Sequence, residues 1–403
     1  MAFFIGLAFF DGNTVLPVFL ARLGAADWVV GLTRLIQTLG YTLPALVSAH
    51  RIHGRPRHKS YLLLTCYLSR VGLFTLPPVF LLFARSRPTF VLVWLLCVLG
   101  VFWTLDGACA VSWYDILAKA IPGRVRGRFF GLIQTLSGIA GIVVGKGVAT
   151  ILAPGGLPYP ANFALLAGGW CVGIIGSQIG LHLLREPDGD VSQIEERPGF
   201  GEYIRQAPAL MRRCPGLTRI LVARLVLDGV GMAAPFYVLF ATRDLRVSLA
   251  AVGLYQLLQS AGKVSTGPVW GWMSDRWGPI VGLRTIACVT AGVPAIALVA
   301  GHGVAWLFPA VFFLIGAVQD GLWMVTTNAL LETVEERDRP MAIGVMSLGQ
   351  TPVAIYGPLG GIVAEATSYR AGFVVALAFG VVGVLLILRI PSTRSPREAH
   401  ASG

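Results

Sequence analysis

Charge is scarce in this sequence. Of its 403 residues, 13% are Asp, Glu, Lys or Arg and 55% are hydrophobic, and the mean hydropathy is +0.72. That is far from the balance of a soluble domain. Lysine is rarer still, with 4 against 28 arginines, a bias that points to a GC-rich bacterial genome. Cysteine has no pattern. Cys66, Cys97, Cys109, Cys171 and Cys288 sit in apolar runs and Cys214 in a polar stretch, so neither a disulfide framework nor a metal-ligand spacing emerges, and the six read as small packing residues. Reactive motifs are missing too: there is no H-E-x-x-H, no P-loop, no G-x-S-x-G and no carboxylate pair at metal spacing within an apolar run. An enzyme, a resident metal and a cofactor are therefore not expected, and the polar stretch of about 30 residues near the middle is too short for an ATPase domain.

Apolar runs long enough to cross a hydrocarbon core of roughly 30 Å are what the chain does have. Twelve follow one another, at 2–22, 28–49, 60–83, 89–117, 129–152, 160–184, 217–241, 248–273, 280–301, 304–330, 341–364 and 370–390. All are read as helices, because open backbone cannot face lipid. MAFFIGLAFF lacks the basic flank and small-residue cleavage site of a signal peptide, so it reads as a retained first span, and the short lead before it raises an upstream start.

Net charge is +12, and its distribution explains it better than a nucleic-acid partner would. With both termini on one side, that side holds 21 Lys and Arg. The other holds Arg22, Arg85, Arg87, Arg243, Arg246 and Arg370, while Arg34, Arg70, Lys146, Arg224 and Lys263 fall inside spans. The positive-inside rule then puts both termini in the cytoplasm of a bacterial inner membrane. The stretch Arg185 to Pro215 divides the spans six and six and reads as a linker containing a short amphipathic helix at the membrane interface. The expected units are an N-terminal bundle at 1–184, a cytoplasmic linker at 185–216, a C-terminal bundle at 217–390 and a tail at 391–403.

The halves resemble each other, GLTRLIQTLG (31–40) in span 2 matching GLYQLLQSAG (253–262) in span 8. An internal duplication of this kind builds many secondary transporters. Asp-Gly recurs at mid-depth in spans 1, 4, 7 and 10 as Asp11-Gly12, Asp106-Gly107, Asp228-Gly229 and Asp320-Gly321, which lead four successive three-span blocks.

GWMSDRWG (271–278), between spans 8 and 9, fits the G-x-x-x-D-R-x-G loop motif of the major facilitator superfamily through Gly271, Asp275, Arg276 and Gly278. With twelve spans, a basic central loop and TVLPVFLARLGAADWVVGL (14–32), the chain resembles that superfamily over essentially its whole length. The first-half counterpart, SAHRIHGRPRHK (48–59), keeps the glycine and basic cluster but lacks the aspartate. GPLGG (Gly357, Pro358, Gly360, Gly361) looks like the family's antiporter motif, but it sits in span 11 rather than span 5, so it reads as helix packing and bending. The resemblance implies an all-α membrane protein of two pseudo-symmetric six-helix bundles that rock about a central cavity lined by spans 1, 4, 7 and 10.

A buried ionisable group costs at least about 2.5–3.5 kcal/mol at bilayer depth, so four equivalent aspartates ask for a reason. The functional reading is a polar cavity where carboxylates bind substrate or a proton; the alternative is that each is neutralised by a neighbour. Asp228 has Arg224 one turn before it, a structural ion pair. Asp106 shares a stripe with Trp113, and Asp320 a face with Trp323 and Thr327. Asp11 is followed by Asn13, with Pro17 able to bend the helix beside it. Asp115 is expected to meet loop arginines such as Arg126 or Arg128. Arg70 and Lys263 are expected as counter-ions to Asp11, Asp106 or Asp320, or as anion ligands. Arg34 is expected to snorkel outward. Gln37 and Gln259, at matching repeat positions, offer hydrogen bonds to substrate or to another helix. The expected activity is secondary transport of a small organic solute, with proton coupling open and efflux favoured over uptake, by a monomer in the bilayer with no nucleic-acid partner. A non-transporting sensor or accessory subunit on the same fold is the alternative.

Overall fold

The computed structural model describes residues 1–52, 57–121, 123–187, 200–300, 304–335 and 338–391. Its helices run Ala2–Phe9 with Val15–Arg22 (span 1), Asp27–Ile52 (span 2), Lys59–Val71 with Leu76–Phe83 (span 3), Pro88–Ala120 (span 4), Gly123–Leu152 (span 5) and Ala161–Leu183 (span 6). The second six are Pro215–Leu227 with Ala234–Arg243, Ala250–Trp277, Pro279–Ala300, Pro309–Thr333, Arg339–Gly349 with Tyr356–Ala366, and Tyr369–Leu388. Among the described residues, eight of these pass as membrane spans on length and apolarity alone. The other four are spans 1, 2, 8 and 11. Spans 1 and 11 are interrupted, while spans 2 and 8 carry Arg34, Gln37 and Thr38, and Gln256, Gln259 and Lys263, on faces turned toward protein or cavity rather than lipid.

The Asp-Gly pairs divide two and two. Span 1 leaves the helix from Phe10 to Thr14, and span 7 tightens to a 3-10 segment over Asp228–Ala233; spans 4 and 10 run unbroken through Asp106 and Asp320. Proline accounts for the difference. Pro17 and Pro235 cannot donate to the carbonyls of Asn13 and Gly231, and span 7 adds Gly229 and Gly231, whereas no proline follows the pairs in spans 4 and 10. In span 1 the freed polar groups are met locally: the Asn13 amide (2.9 Å) and Thr14 hydroxyl (3.0 Å) donate to Asp11 Oδ1.

The two bundles meet along two seams, span 2 on span 11 and span 5 on span 8. Both are closed by glycine. A Cβ on Gly31 would lie 2.1 Å from the Gly357 carbonyl oxygen, one on Gly361 2.4 Å from that of Asp27, and one on Gly253 2.1 Å from the Ala149 nitrogen. Backbone meets backbone here, and a methyl group has no room.

Closure is confined to one face. On the side away from Met1, a single apolar core runs through both halves, from Phe19, Phe80 and Phe163 to Phe240, Phe312 and Phe373. On the Met1 side the halves have separate cores. Leu62, Cys66, Cys109, Ile116 and Leu181 form one, and residues of the second half from Leu217 to Ile390 form the other. The halves are thus welded at one face and parted at the other.

The linker helix Phe200–Arg213 is amphipathic and packs on the second half. Leu210 is buried in the second-half core with Leu217 and Ile220, while Arg205, Arg212 and Arg213 point to solvent. In the first half, Glu186 supplies acidic contacts near the loop that lacks the motif's aspartate: its two carboxylate oxygens accept the His58 (2.7 Å) and Lys59 (2.8 Å) amides and cap span 3. In the second half, Gly278 has φ +88°, a conformation that demands glycine between spans 8 and 9. Asp275 and Arg276 lie exposed beside it, one turn past Gly271.

Candidate functional site

Between the parted halves lies a cavity of about 750 Å³ reaching toward the Met1 face. Among the described residues, six acidic or basic side chains of spans 1, 2, 3, 4, 8 and 10 line it: Asp11, Arg34, Arg70, Asp106, Lys263 and Asp320. They form three acid-base couples in different states. Lys263 Nζ and Asp320 Oδ2 are in direct contact at 2.9 Å. Arg34 acts on Asp11 only at a distance, giving its hydrogen bond to Asn13 Oδ1 (3.1 Å). Arg70 and Asp106 likewise interact without pairing. Arg70 donates to the neutral acceptors Gln178 Oε1 and Ser177 Oγ (3.4 Å) and lies 5.8 Å over the Phe3 ring. Among the described residues, the Asp106 carboxylate meets one hydrogen-bonding atom, Cys109 Sγ at 3.7 Å.

The two walls differ. Among the described residues, the first half contributes Tyr41, Trp103, Trp113, Tyr114 and Trp170, whose buried indole nitrogen has no partner there, and the second contributes Gln259, Ser260 and Gln319 beside the closed pair, and no aromatic ring. Gln37 and Gln259 both line the cavity, and Gln259 Nε2 donates to Gln319 Oε1 at 3.3 Å.

Not every residue singled out in the sequence lies there. Trp323 and Thr327 continue the Asp320 face toward the basic end and fall outside the cavity; Trp323 is 70% exposed, and the Thr327 hydroxyl bonds to the Trp323 carbonyl. Asn13 is buried behind the wall as the Arg34 acceptor. Arg224 Nε is 2.9 Å from Asp228 Oδ2, and neither lines the cavity. Gly357 and Gly361 serve the span 2 seam, and Gly360 packs on the Met232 carbonyl. Asp115 faces Lys119 (2.6 Å) and His58 (3.3 Å), and the side chains of the expected partners Arg126 and Arg128 lie outside the described residues.

Residues 220–403 match the family model described as Major Facilitator Superfamily. The MFS-type transporter ungB of Aspergillus violaceofuscus is 25% identical over 154 residues, 37% of this chain and 26% of the fungal protein, so the chain matches about a quarter of that relative's length. The fold is shared across the whole chain with solved transporters. A bacterial homologue of the iron transporter ferroportin in an inward-facing state superposes with a TM-score of 0.69 at 13% identity, covering 96% of this chain and 97% of the other. The nucleoside transporter NupG gives 0.71 at 12% identity, with 96% and 98% covered. A bacterial homologue of the lysosomal transporter Spinster, inward-facing and unoccupied, gives 0.68 at 15%, with 98% and 96% covered.

Over its second half the chain matches the major facilitator superfamily, and over its whole length it shares the fold of these solved transporters.

Two features of the site escaped the sequence. Arg34 turns into the cavity instead of outward, drawn by Asp11 and Asn13; its helical spacing of three from Gln37 was the available signal. Asp27 and Arg243, each at the end of a span, close the face opposite Met1, and nothing in their neighbourhoods marks them as partners.

Proposed function

We propose that this protein is a secondary active transporter that moves a small organic solute across the membrane by alternating access. The observation that carries this reading is the combination of a shared core and glycine seams at one face with separate cores and a charged cavity at the other. Such an arrangement is one half of a rocking cycle, with the site exposed to one side only. The positive-inside rule assigns the open side to the cytoplasm and both termini with it. The 1–184 and 217–390 units are the two rocking bodies, and 185–216 is the tether.

The cavity volume lies in the usual range for small-molecule sites, roughly 300–1,000 Å³. Asp11 and Asp106, carboxylates without a direct counter-ion, are the candidates for proton coupling. Gly357 and Gly361 pack in the span 2 seam, which supports the helix-packing reading of GPLGG, and efflux is the direction proposed over uptake.

The test is reconstitution. Vesicles bearing the purified protein are loaded with a mixed small-molecule extract, a pH gradient is imposed in either sense, and the contents are followed by mass spectrometry. A solute that moves only in vesicles with protein, with a rate that collapses when a protonophore is added, is the expected result. Absence of any protein-dependent flux would favour a sensor on the same fold.

A further inference from the structure

The cavity wall of the first half holds two buried charges that, among the described residues, nothing in contact neutralises. Asp106 is 7% exposed and Arg70 5% exposed, and both side chains line the cavity. They lie at similar depth: eleven residues into span 3 and fourteen from the end of span 4, or about 17 and 21 Å of helix rise from the basic face. Among the described residues, Arg70 spends its hydrogen bonds on neutral oxygens and keeps Nε unpartnered, and the Asp106 carboxylate has only a thiol at 3.7 Å. Burying two opposite charges without contact is costly unless something bridges them.

The chemistry of the bridge follows from elimination. An organic cation would satisfy Asp106 but bring its charge beside Arg70 and Arg34, and an anion would do the reverse toward Asp106 and Asp11. A solute carrying both signs satisfies both. Around the two charges the wall is aromatic, with Tyr41, Trp103, Trp113 and Tyr114, while the facing wall has its own charges already closed in the Lys263–Asp320 pair. Flat rings beside a carboxylate suit an ammonium and its apolar body.

We propose that the cavity takes a zwitterionic solute with an aromatic or comparably apolar body, its cationic nitrogen held by Asp106 and its anionic group by Arg70. This deepens the transporter reading and rests on it only in calling the ligand a cargo; the charge preference itself is a binding property and is measured without flux.

The experiment uses the full-length protein in lipid nanodiscs and three probes that share one ring system: tryptophan (zwitterion), tryptamine (cation) and indole-3-propionate (anion). Binding is read by thermal stabilisation and by quenching of a dye placed outside the cavity. Tryptophan is expected to act at a concentration at least tenfold below either single-charge probe. Asp106→Asn should reduce tryptophan to the level of the anion while strengthening the anion's own binding, and Arg70→Gln should reduce tryptophan to the level of the cation while strengthening the cation's. Should either variant fail to insert, the ranking of the three probes on the unaltered protein remains decisive. Tryptamine or indole-3-propionate binding as well as tryptophan, or no binding by any of the three, would overturn the proposal. If tryptophan ranks first yet no solute moves in vesicles, the charge assignment stands and the transport reading falls; if another solute is carried while all three probes fail, the reverse holds.

Discussion

Arg243 Nη1 lies 2.9 Å from Asp27 Oδ1, joining the end of span 7 to the start of span 2 across the two halves, and the same nitrogen donates to the Tyr369 hydroxyl at the start of span 12. Nearby the Trp28 amide donates to Glu365 Oε2 at 3.5 Å. Asp27→Asn or Arg243→Gln is therefore expected to loosen closure of this face. Arg243 is partly open to solvent, so the loss is about 1 kcal/mol, or roughly a fivefold shift in population. Labelling of a cysteine placed behind the pair measures the shift, and a charge-swapped double variant should return it. Unchanged labelling in both single variants would show that the glycine seams alone hold this face.

The seams themselves give a sharper effect. In Gly31→Ala the new methyl meets the Gly357 carbonyl at 2.1 Å, and in Gly253→Ala it meets the Ala149 backbone at 2.1 Å. Backbone cannot swing aside as a side chain can, so each should disfavour this state by about 1–3 kcal/mol. The expected readout is increased accessibility of the face away from Met1 and a lower melting temperature. A melting temperature and accessibility equal to the parent would mean the helices separate at no cost.

Stability, more than transport, should report on Arg224 and Asp228. Their pair is largely buried and lies outside the cavity lining. Arg224→Met leaves a buried carboxylate without its partner and should cost about 3–5 kcal/mol, whereas Arg224→Met with Asp228→Leu should recover most of it. Thermal unfolding in detergent distinguishes the two, and equal losses would point to packing and not charge.

For the cavity acids the ordering is reversed. Asp11→Asn, Asp106→Asn and Asp320→Asn should abolish or uncouple flux in vesicles while membrane insertion is normal, and Asp228→Asn should change flux least. Normal transport in all of the first three would remove the carboxylates from the mechanism. Within that set, Asp320→Asn should be partly rescued by Lys263→Met, because the two neutralise each other at 2.9 Å.

What could be read from the sequence was whatever depends on local composition. The apolar runs, the half-and-half division and the mid-depth aspartates follow from hydropathy and repetition, and Pro17 signalled the break beside Asp11. Which aspartate stays in a helix was decided by where proline falls, a comparison between spans that a single motif does not reveal. Side-chain direction was harder. Trp323 shares its helix face with Asp320, yet it lies nearer the basic end, where the halves have parted and there is no opposite wall. Arg34 was misjudged because snorkelling and inward pairing are equally open to a long side chain until the neighbouring helix is placed. Asp27 and Arg243 stand 216 residues apart, and only packing of span 2 against the second half brings them together.

The difference between the cavity walls bears on how a cycle divides its labour. One half offers rings and unsatisfied charges; the other presents a pair that has already spent its charge internally. A passenger held by the first half need not be handed over when the second swings, so recognition and gating become separable properties of a single chain. On the proposed assignment, substitutions in the first half are expected to alter what is carried, and those in the second how quickly the door turns.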